Sequence, residues 1–471
     1  MNDKRQKTSS PQQLRCQHQL RLAFSEEGRS ESPTASLAGI ASDMANSSTQ
    51  SPTSSDRLME SICDSLNLEC AIARVIANDG APGIDGMRVS ELENYFERHR
   101  DRIIGELFSG TYRPQPVKRV EIPKPDGGVR KLGIPTVVDR VIQQAVLLVL
   151  SPLWEETFSD NSFGFRPFRN AHDAVARVQS YLVEGYTWVV DVDLEKFFDL
   201  VNHDVLMGRV ARRVEDKRLL KLIRAFLNSG VMIDGVFSGT DEGTPQGGPL
   251  SPLLSNLLLD EWDRELESRG LRFARYADDC NIYVKSKRAG ERVLKSVTAW
   301  LEKKLRLKVN QDKSAVDRPW KRKFLGFTFT TQRKRSIAPA ARVKFKKRVR
   351  ELTKRNRGSS LERVISELRS YLVGWRGYFG FCETPSVLRD FDSWIHRRVR
   401  SYAWKQWKTG KRRFKELRTL GVGKDLAART AGSRKGNWHN SRSPALSFAL
   451  PGRVLADLGV PLLSEQPISK V

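Results

Sequence analysis

The spacing of apolar residues changes several times along this chain, and the changes mark its organisation. Before residue 58 no helical or strand period is visible. From Leu58 onward, apolar positions recur. Val120 to Pro135 reads as two short strands joined at Asp126-Gly127, a hairpin signal. Val138–Leu150 has the spacing of a helix, and Thr187–Asp193 is a β-branched and aromatic run that ends in a carboxylate. Amphipathic helices are predicted over His203–Leu227 and Pro252–Glu267. Arg272–Val284 reads as two strands with Asp278 and Asp279 at the bend. A helix over Ala289–Leu305 and a short strand over Phe324–Phe329 follow. From Ala341 the pattern is helical, basic and aromatic. The expected architecture is an α+β body with strand-end carboxylates, followed by an all-α module.

Composition divides the chain in the same places. Residues 1–55 are rich in Ser, Thr, Gln and Pro and nearly neutral, with 6 Lys/Arg against 5 Asp/Glu, which predicts a disordered tail. The net charge of the 471-residue chain is +26, and residues 341–420 alone hold 23 Lys/Arg against 7 Asp/Glu. Charge of this sign and density favours a polyanionic partner, above all nucleic acid. The aromatics among those charges (Trp375, Tyr378, Phe379, Trp394, Tyr402, Trp404, Trp407) fit the core of a helical bundle better than stacking sites, which leaves the cations to meet phosphate. No C-x-x-C pair marks a zinc site. No uninterrupted apolar run reaches membrane-spanning length, and no membrane partner is expected.

The carboxylates suggest the chemistry. Phosphoryl transfer to a nucleic-acid end is served by two Mg²⁺ ions about 4 Å apart, held by a few carboxylates together with substrate phosphates. Asp193 at a strand end and the Asp278-Asp279 bend would supply carboxylates from neighbouring strands. An isolated Asp-Asp pair is most often a solvated turn. Here it lies inside an apolar hairpin, where buried carboxylates call for a compensating cation. The Gly243–Pro252 loop would let backbone approach a base pair, and Lys124 and Arg130 flank the Asp-Gly-Gly turn.

Taken in order, the motifs resemble those of the reverse transcriptases encoded by group II introns, also called maturases. Ala81-Pro-Gly-Ile-Asp-Gly86 resembles the family's N-terminal extension, Ile122–Arg130 the fingertip motif, and Ser162-Phe-Gly-Phe-Arg-Pro167 the block that follows. Asp193–Asp199, Thr244–Pro252, Tyr276-Ala-Asp-Asp279, Leu307–Lys313 and Phe324–Phe327 resemble polymerase motifs A to E, and Leu372–Phe379 the maturase domain. The resemblance implies a right-hand polymerase, with fingers and a palm on an antiparallel sheet and an all-α thumb/maturase bundle. The implied segments are a tail over 1–57, N-terminal extension and fingers over 58–170, palm over 171–340, thumb/maturase domain over 341–410 and a basic DNA- or intron-binding segment over 411–471.

Roles follow from the same resemblance, position by position. Asp193, Asp278 and Asp279 would be the catalytic metal triad, and Leu194 would lend its carbonyl to a metal. Phe198 would exclude a ribose 2′-hydroxyl. Lys124, Arg130, Gln246 and Lys313, supported by Asn310, would face the nucleotide. Lys344, Lys346, Lys347, Arg348, Arg397, Arg398, Lys411, Arg412 and Arg413 would meet nucleic acid. Two Mg²⁺ ions (with Mn²⁺ as substitute), deoxynucleoside triphosphates, a DNA target or primer, and an intron RNA serving as template and splicing substrate are implied. So is a cytoplasmic ribonucleoprotein, as monomer or dimer. No paired cysteines follow Cys382, so the family's DNA endonuclease is expected to be absent, with retrohoming from a borrowed primer. Two alternatives stand beside this reading: a host-recruited reverse transcriptase of defence or repair, and a splicing factor acting mainly by RNA binding.

Overall fold

The computed structural model describes residues 57–123, 129–233, 236–238, 243 and 247–465. It divides into two compact units. The first takes in the described residues up to Ala174 together with Val190–Val316, and the second Val175–Val189 with the chain from Asp317.

The first unit opens with α1 (Leu58–Cys63), α2 (Ser65–Asn78) and α3 (Leu92–Phe108). The hairpin follows as β1 (Val117–Pro123) and β2 (Val129–Ile134), paired antiparallel from Lys118↔Ile134 to Pro123↔Val129. Next comes α4 (Val137–Glu155), started by Thr136, whose side chain accepts from Asp139 N. Length and apolarity would let α4 cross a membrane. It is instead largely a core helix: Val141, Ile142, Ala145 and Val146 are fully buried, as are Met59 and Ile62 of α1. It also carries Asp139, Arg140, Gln143 and Gln144, whose polarity explains why no continuous apolar run stands out in the sequence.

After α5 (Ala171–Val183) come β3 (Trp188–Val192), α6 (His203–Val210) and α7 (Lys217–Leu227). The single helix expected over His203–Leu227 is therefore two. Asp216 ends the continuity by capping α7, accepting from Arg218 N and Leu219 N, and it also accepts from Met59 N. The short strands β4 (Val231–Ile233) and β5 (Val236–Ser238) complete a four-stranded sheet in the order β2-β1-β4-β5. That sheet is mixed, because β1 and β4 run parallel.

The second sheet carries the Asp278-Asp279 hairpin. Helix α8 (Ser251–Ser268) leads into the hairpin β6 (Arg272–Tyr276) and β7 (Asp279–Val284). Then come α9 (Lys287–Trp300) and β8 (Ala315–Asp317), giving the order β6-β7-β3-β8.

The second unit contains the hairpin β9 (Phe327–Phe329) and β10 (Arg335–Ile337), then α10 (Pro339–Leu352), α11 (Leu361–Phe379) and α12 (Pro385–Gln406). Short helices follow: α13 (Gly410–Thr419), α14 (Lys424–Ala431), α15 (Asn437–Asn440), α16 (Pro444–Ala449) and α17 (Gly452–Asp457). Phe345 packs on Trp375 (4.2 Å between ring centroids) and Phe391 (4.6 Å). Trp404, Tyr402 and Trp407 are buried, so most of the interleaved aromatics are core. The expected break at residue 410 is not a break in packing. Leu417, Val422, Ala445, Leu446, Leu455 and Val460 share one core with Phe345 and Trp404, because these apolar positions need the same cover. Buried Asp392 holds the segment after α17 by accepting from Leu463 N (2.7 Å) and Ser464 N (3.0 Å).

Candidate active site

Asp193 is the first residue past β3. Its amide donates to Ser314 Oγ (3.0 Å), and its carbonyl accepts from Asn310 N (2.8 Å). Asn310 Oδ1 in turn accepts from Asp312 N and Lys313 N. The motif D turn is thus wired to the backbone on either side of the Asp193 carboxylate. Lys313 itself is exposed. Leu194 is buried and bridges Val309, and no described residue donates to its carbonyl. Lys196 has φ 44°, which turns the chain into a short 3₁₀ segment, Phe197–Asp199, with Phe198 half-buried against Phe197.

Strands β3 and β7 are neighbours. Asn281, with its amide oriented to satisfy both partners, donates to Asp191 Oδ1 (2.9 Å) and Cys280 O (3.3 Å). On the other face, a Cβ added to Gly290 would lie 3.4 Å from both Val190 Cγ2 and Val284 Cγ2. Only an antiparallel pairing brings 281 beside 191 and 284 near 190 together. In that pairing the end of β3, which Asp193 follows, and the start of β7, which is Asp279, lie at the same end of the sheet. Asp278 occupies the turn between β6 and β7. Among the described residues, no three His, Cys, Asp or Glu side chains are grouped as a metal-holding cluster.

The turn is held from behind. Ala277 has φ 58°, a left-handed conformation unfavourable for a residue with a Cβ. Gly164 lies flat against it, and a Cβ there would be 2.3 Å from Ala277 N. Arg275 is fully buried and uses all five guanidinium hydrogens. Nε and Nη2 donate to the Asp263 carboxylate (2.7 and 2.5 Å). Nη1 donates to Asn256 Oδ1 (3.0 Å) and Ala277 O (2.9 Å), and Nη2 also donates to Ser162 Oγ (2.8 Å). Asn256 Nδ2 donates to Gly164 O (2.8 Å). Burial alone would lower the guanidinium pKa; the Asp263 carboxylate more than offsets it and holds the group above its ordinary value. Burial likewise pushes the Cys280 thiol, next to Asp279, well up.

The Gly-rich loop approaches these elements by backbone. A Cβ at Gly243, where φ is 95°, would lie 2.9 Å from Asp199 O and 3.0 Å from Phe198 O. His203 Nε2 is 2.6 Å from Gly243 O. A Cβ at Gly247 would be 2.4 Å from Gly133 O, and one at Gly248 2.4 Å from Gln143 Oε1. Lys124, Gln246 and the side chain of Arg130 lie outside the described residues.

The family models now decide the matter. Residues 122–329 match the reverse transcriptase (RNA-dependent DNA polymerase) family, and residues 342–421 match the group II intron maturase-specific domain. The chain belongs to the group II intron reverse transcriptases. It is 36% identical over 273 residues to Protein YkfC of Escherichia coli, covering 50% of this chain and 72% of that protein. It is also 36% identical over 206 residues to the group II intron-encoded protein LtrA of Lactococcus lactis, covering 44% of this chain and 34% of LtrA. A chain of the solved partial Cas6-RT-Cas1–Cas2 complex is similar at 27% identity over 52% of this chain and 42% of that one, with a TM-score of 0.34. This reverse transcriptase is an RNA-directed DNA polymerase carrying a maturase domain, and its substrates are nucleic acids.

The basic residues of the second unit divide by what they already touch. Lys344, Lys347 and Arg348 on α10 and Lys411 and Arg412 on α13 are exposed, although Arg348 and Arg412 pair with Glu351 and Glu416. Lys346 lies 5.6 Å from the Phe391 centroid. Arg397 stacks on Trp438 (3.8 Å to the centroid) and donates to its carbonyl. Arg398 donates to Thr353 Oγ1 and to the carbonyls of Arg350 and Thr353, so it closes the end of α10. Arg413 stands over Trp404.

The sequence reading missed Asp191, Asn281, Ser314, Arg275 and Asp263. One signal was available for Arg275: it is an arginine between the apolar Phe273-Ala274 and the Tyr-Ala-Asp-Asp turn.

Proposed function

We propose that Asp193, Asp278 and Asp279 are the catalytic carboxylates of this polymerase, and that it copies a group II intron RNA into DNA. The observation that supports the reading is that β3, which Asp193 follows, and β7, which begins at Asp279, are neighbours in one sheet, with Asp278 at the adjoining turn. Reverse transcriptases work with divalent metals. The oxygen-only donor set here, three carboxylates and the Leu194 carbonyl to which no described residue donates, fits a hard cation such as Mg²⁺, with Mn²⁺ as substitute. A group with few protein ligands is what a site completed by substrate phosphates requires. Two such ions, when bound, would supply charge neutralisation for the attacking and leaving oxygens.

The protein's own part is positioning. Asn310 and Ser314 fix the backbone of Asp193, and Arg275 and Gly164 fix that of Ala277, so the carboxylates need little reorganisation. A primer 3′-hydroxyl attacks the α-phosphate of a deoxynucleoside triphosphate, the bond to the bridging oxygen breaks, and pyrophosphate leaves. In this reading Phe198 excludes the ribose 2′-hydroxyl, and Lys124, Arg130, Gln246 and Lys313 bind the nucleotide. The exposed cations of α10 and α13 meet the intron RNA and the DNA target, and the maturase domain promotes splicing and retrohoming.

Primer extension on an RNA template tests the carboxylates: Asp278→Ala is expected to abolish synthesis, and undiminished synthesis would refute the assignment. A splicing assay on the same variant separates the two activities, because splicing is expected to survive.

A further inference from the structure

The first residue of α6 is a histidine to which the polymerase chemistry gives no part. His203 is 2% exposed and turns both ring nitrogens onto the chain. Nε2 lies 2.6 Å from Gly243 O, and Nδ1 3.1 Å from Asn228 Oδ1. A backbone carbonyl can only accept, so Gly243 fixes a proton on Nε2.

These two partners bracket one excursion of the chain. Asn228 closes α7, where its N–H donates to Arg224 O, just before β4 begins at Val231. Gly243 follows β5, which ends at Ser238. Strands β4 and β5 pair from Val231↔Ser238 to Ile233↔Val236, and β4 joins the fingertip strand β1 through Val117↔Val231. One imidazole therefore staples both the departure and the return of this hairpin to the start of α6.

Gly243 in turn is docked on the segment between Asp193 and α6. Its N–H donates to Val201 O (2.8 Å), and its carbonyl meets His203. Its open face lies against the carbonyls of Phe198 and Asp199, which a Cβ would meet at 3.0 and 2.9 Å. Gly243 is buried, so loss of the imidazole would leave its carbonyl without that donor inside the protein. The carboxylates are held by other groups: Asn310 and Ser314 at Asp193, and Arg275 at Ala277. A shift of Gly243 would therefore disturb the Phe198-Asp199 backbone before it disturbed them.

We propose that His203 is a positioning residue for nucleotide addition: by stapling Asn228 and Gly243 it holds the Phe198-Asp199 backbone against the incoming nucleotide. The proposal rests on the reading of Asp193–Asp199 and the Gly-rich loop as the nucleotide site. Three variants of the full chain test it. His203→Gln places an amide nitrogen near the position of Nε2, His203→Asn places one near Nδ1, and His203→Leu supplies neither. Single-nucleotide addition on a primed RNA template gives kcat and the deoxynucleotide KM, and hydrogen–deuterium exchange is followed without substrate. The leucine and asparagine variants are expected to raise KM about tenfold with kcat within about threefold of the parent. Exchange should quicken in peptides containing Gly243 and stay parental in α4 and α8. His203→Gln should bring KM back to within about threefold of the parent.

A parental KM in the leucine variant would overturn the proposal, as would an asparagine variant equal to the glutamine one, since the ring would then only fill the core. Faster exchange throughout the first unit together with a lowered Tm would also overturn it, because general loosening would then explain the kinetics. Should the leucine variant not fold, the glutamine–asparagine comparison decides. Synthesis that survives Asp278→Ala would sink the reading of the site and leave the exchange result standing.

Discussion

Arg275 reaches forward two residues to donate from Nη1 to the carbonyl of Ala277, at 2.9 Å. One guanidinium thereby ties the left-handed residue of the Asp278-Asp279 turn to α8, through Asp263 and Asn256, and to Ser162. Removing the charge in Arg275→Met leaves Asp263 buried without a partner and is expected to destabilise the first unit by about 3–5 kcal/mol. Arg275→Lys keeps the charge but cannot make the five-fold set of bonds. It is expected to keep most of the fold and lose at least about tenfold in kcat for single-nucleotide addition, with the nucleotide KM little changed. Urea unfolding and single-turnover kinetics read the two effects separately. A lysine variant with parental kcat would show that the clamp does not reach the chemistry.

Gly164 offers a sharper probe, because its neighbour is backbone. A methyl group there would sit 2.3 Å from Ala277 N and 2.9 Å from Tyr276 C, contacts that no rotamer change relieves. Gly164→Ala is expected to displace the turn and cut primer extension on the order of 100-fold, while circular dichroism still reports a folded chain. Parental extension rates in that variant would mean that the turn tolerates displacement.

Much of this site was legible in the sequence, and the reason is its geometry. A strand ending in Asp193 and an apolar hairpin bent at Asp278-Asp279 are local patterns, and period-two alternation reports them directly. Arg275–Asp263 was not legible. In a chain of net charge +26 one more arginine carries no signal, and its partner is a helical residue twelve positions earlier whose inward direction depends on tertiary packing. The break between α6 and α7 was hidden for a related reason. The apolar period runs on through it, and only the Asp216 cap, anchored to Met59 N, interrupts the helix. The chain beyond residue 410 read as a basic appendage because its charges outnumber its buried leucines, valines and alanines, yet those few residues set the packing.

The sugar discrimination proposed for Phe198 has a backbone component. Gly243 stands where a Cβ would meet the carbonyls of Phe198 and Asp199, at 3.0 and 2.9 Å, in a conformation (φ 95°) that favours glycine. Phe198→Ala is expected to relax exclusion of ribonucleotides by on the order of 10- to 100-fold in the ratio of kcat/KM values. Gly243→Ala should shift the same ratio by pushing on the segment that carries the ring. Insertion kinetics with one deoxynucleotide and its ribonucleotide check both. An unchanged ratio in Phe198→Ala would remove that residue from sugar selection.

The second unit should carry a pH dependence of its own, centred on His396 in α12. Burial lowers its pKa below the ordinary 6.5; Asp392 opposes the shift and Arg400 adds to it. Crowding matches that direction, since a Cβ on Gly452 would be 3.0 Å from the ring carbon Cε1. Between the folded pKa and 6.5 the unfolded chain binds more protons than the folded one, so stability rises with pH across that window. It is lost as pH falls below about 6.5, where folding must exclude a proton that the unfolded histidine accepts. His396→Gln removes the titration, so the loss of stability between pH 7.5 and pH 5.5 should be smaller than in the parent. Urea midpoints of the full chain at the two pH values, parent against variant, measure the difference. Equal losses in the two proteins would assign the acid sensitivity to other groups.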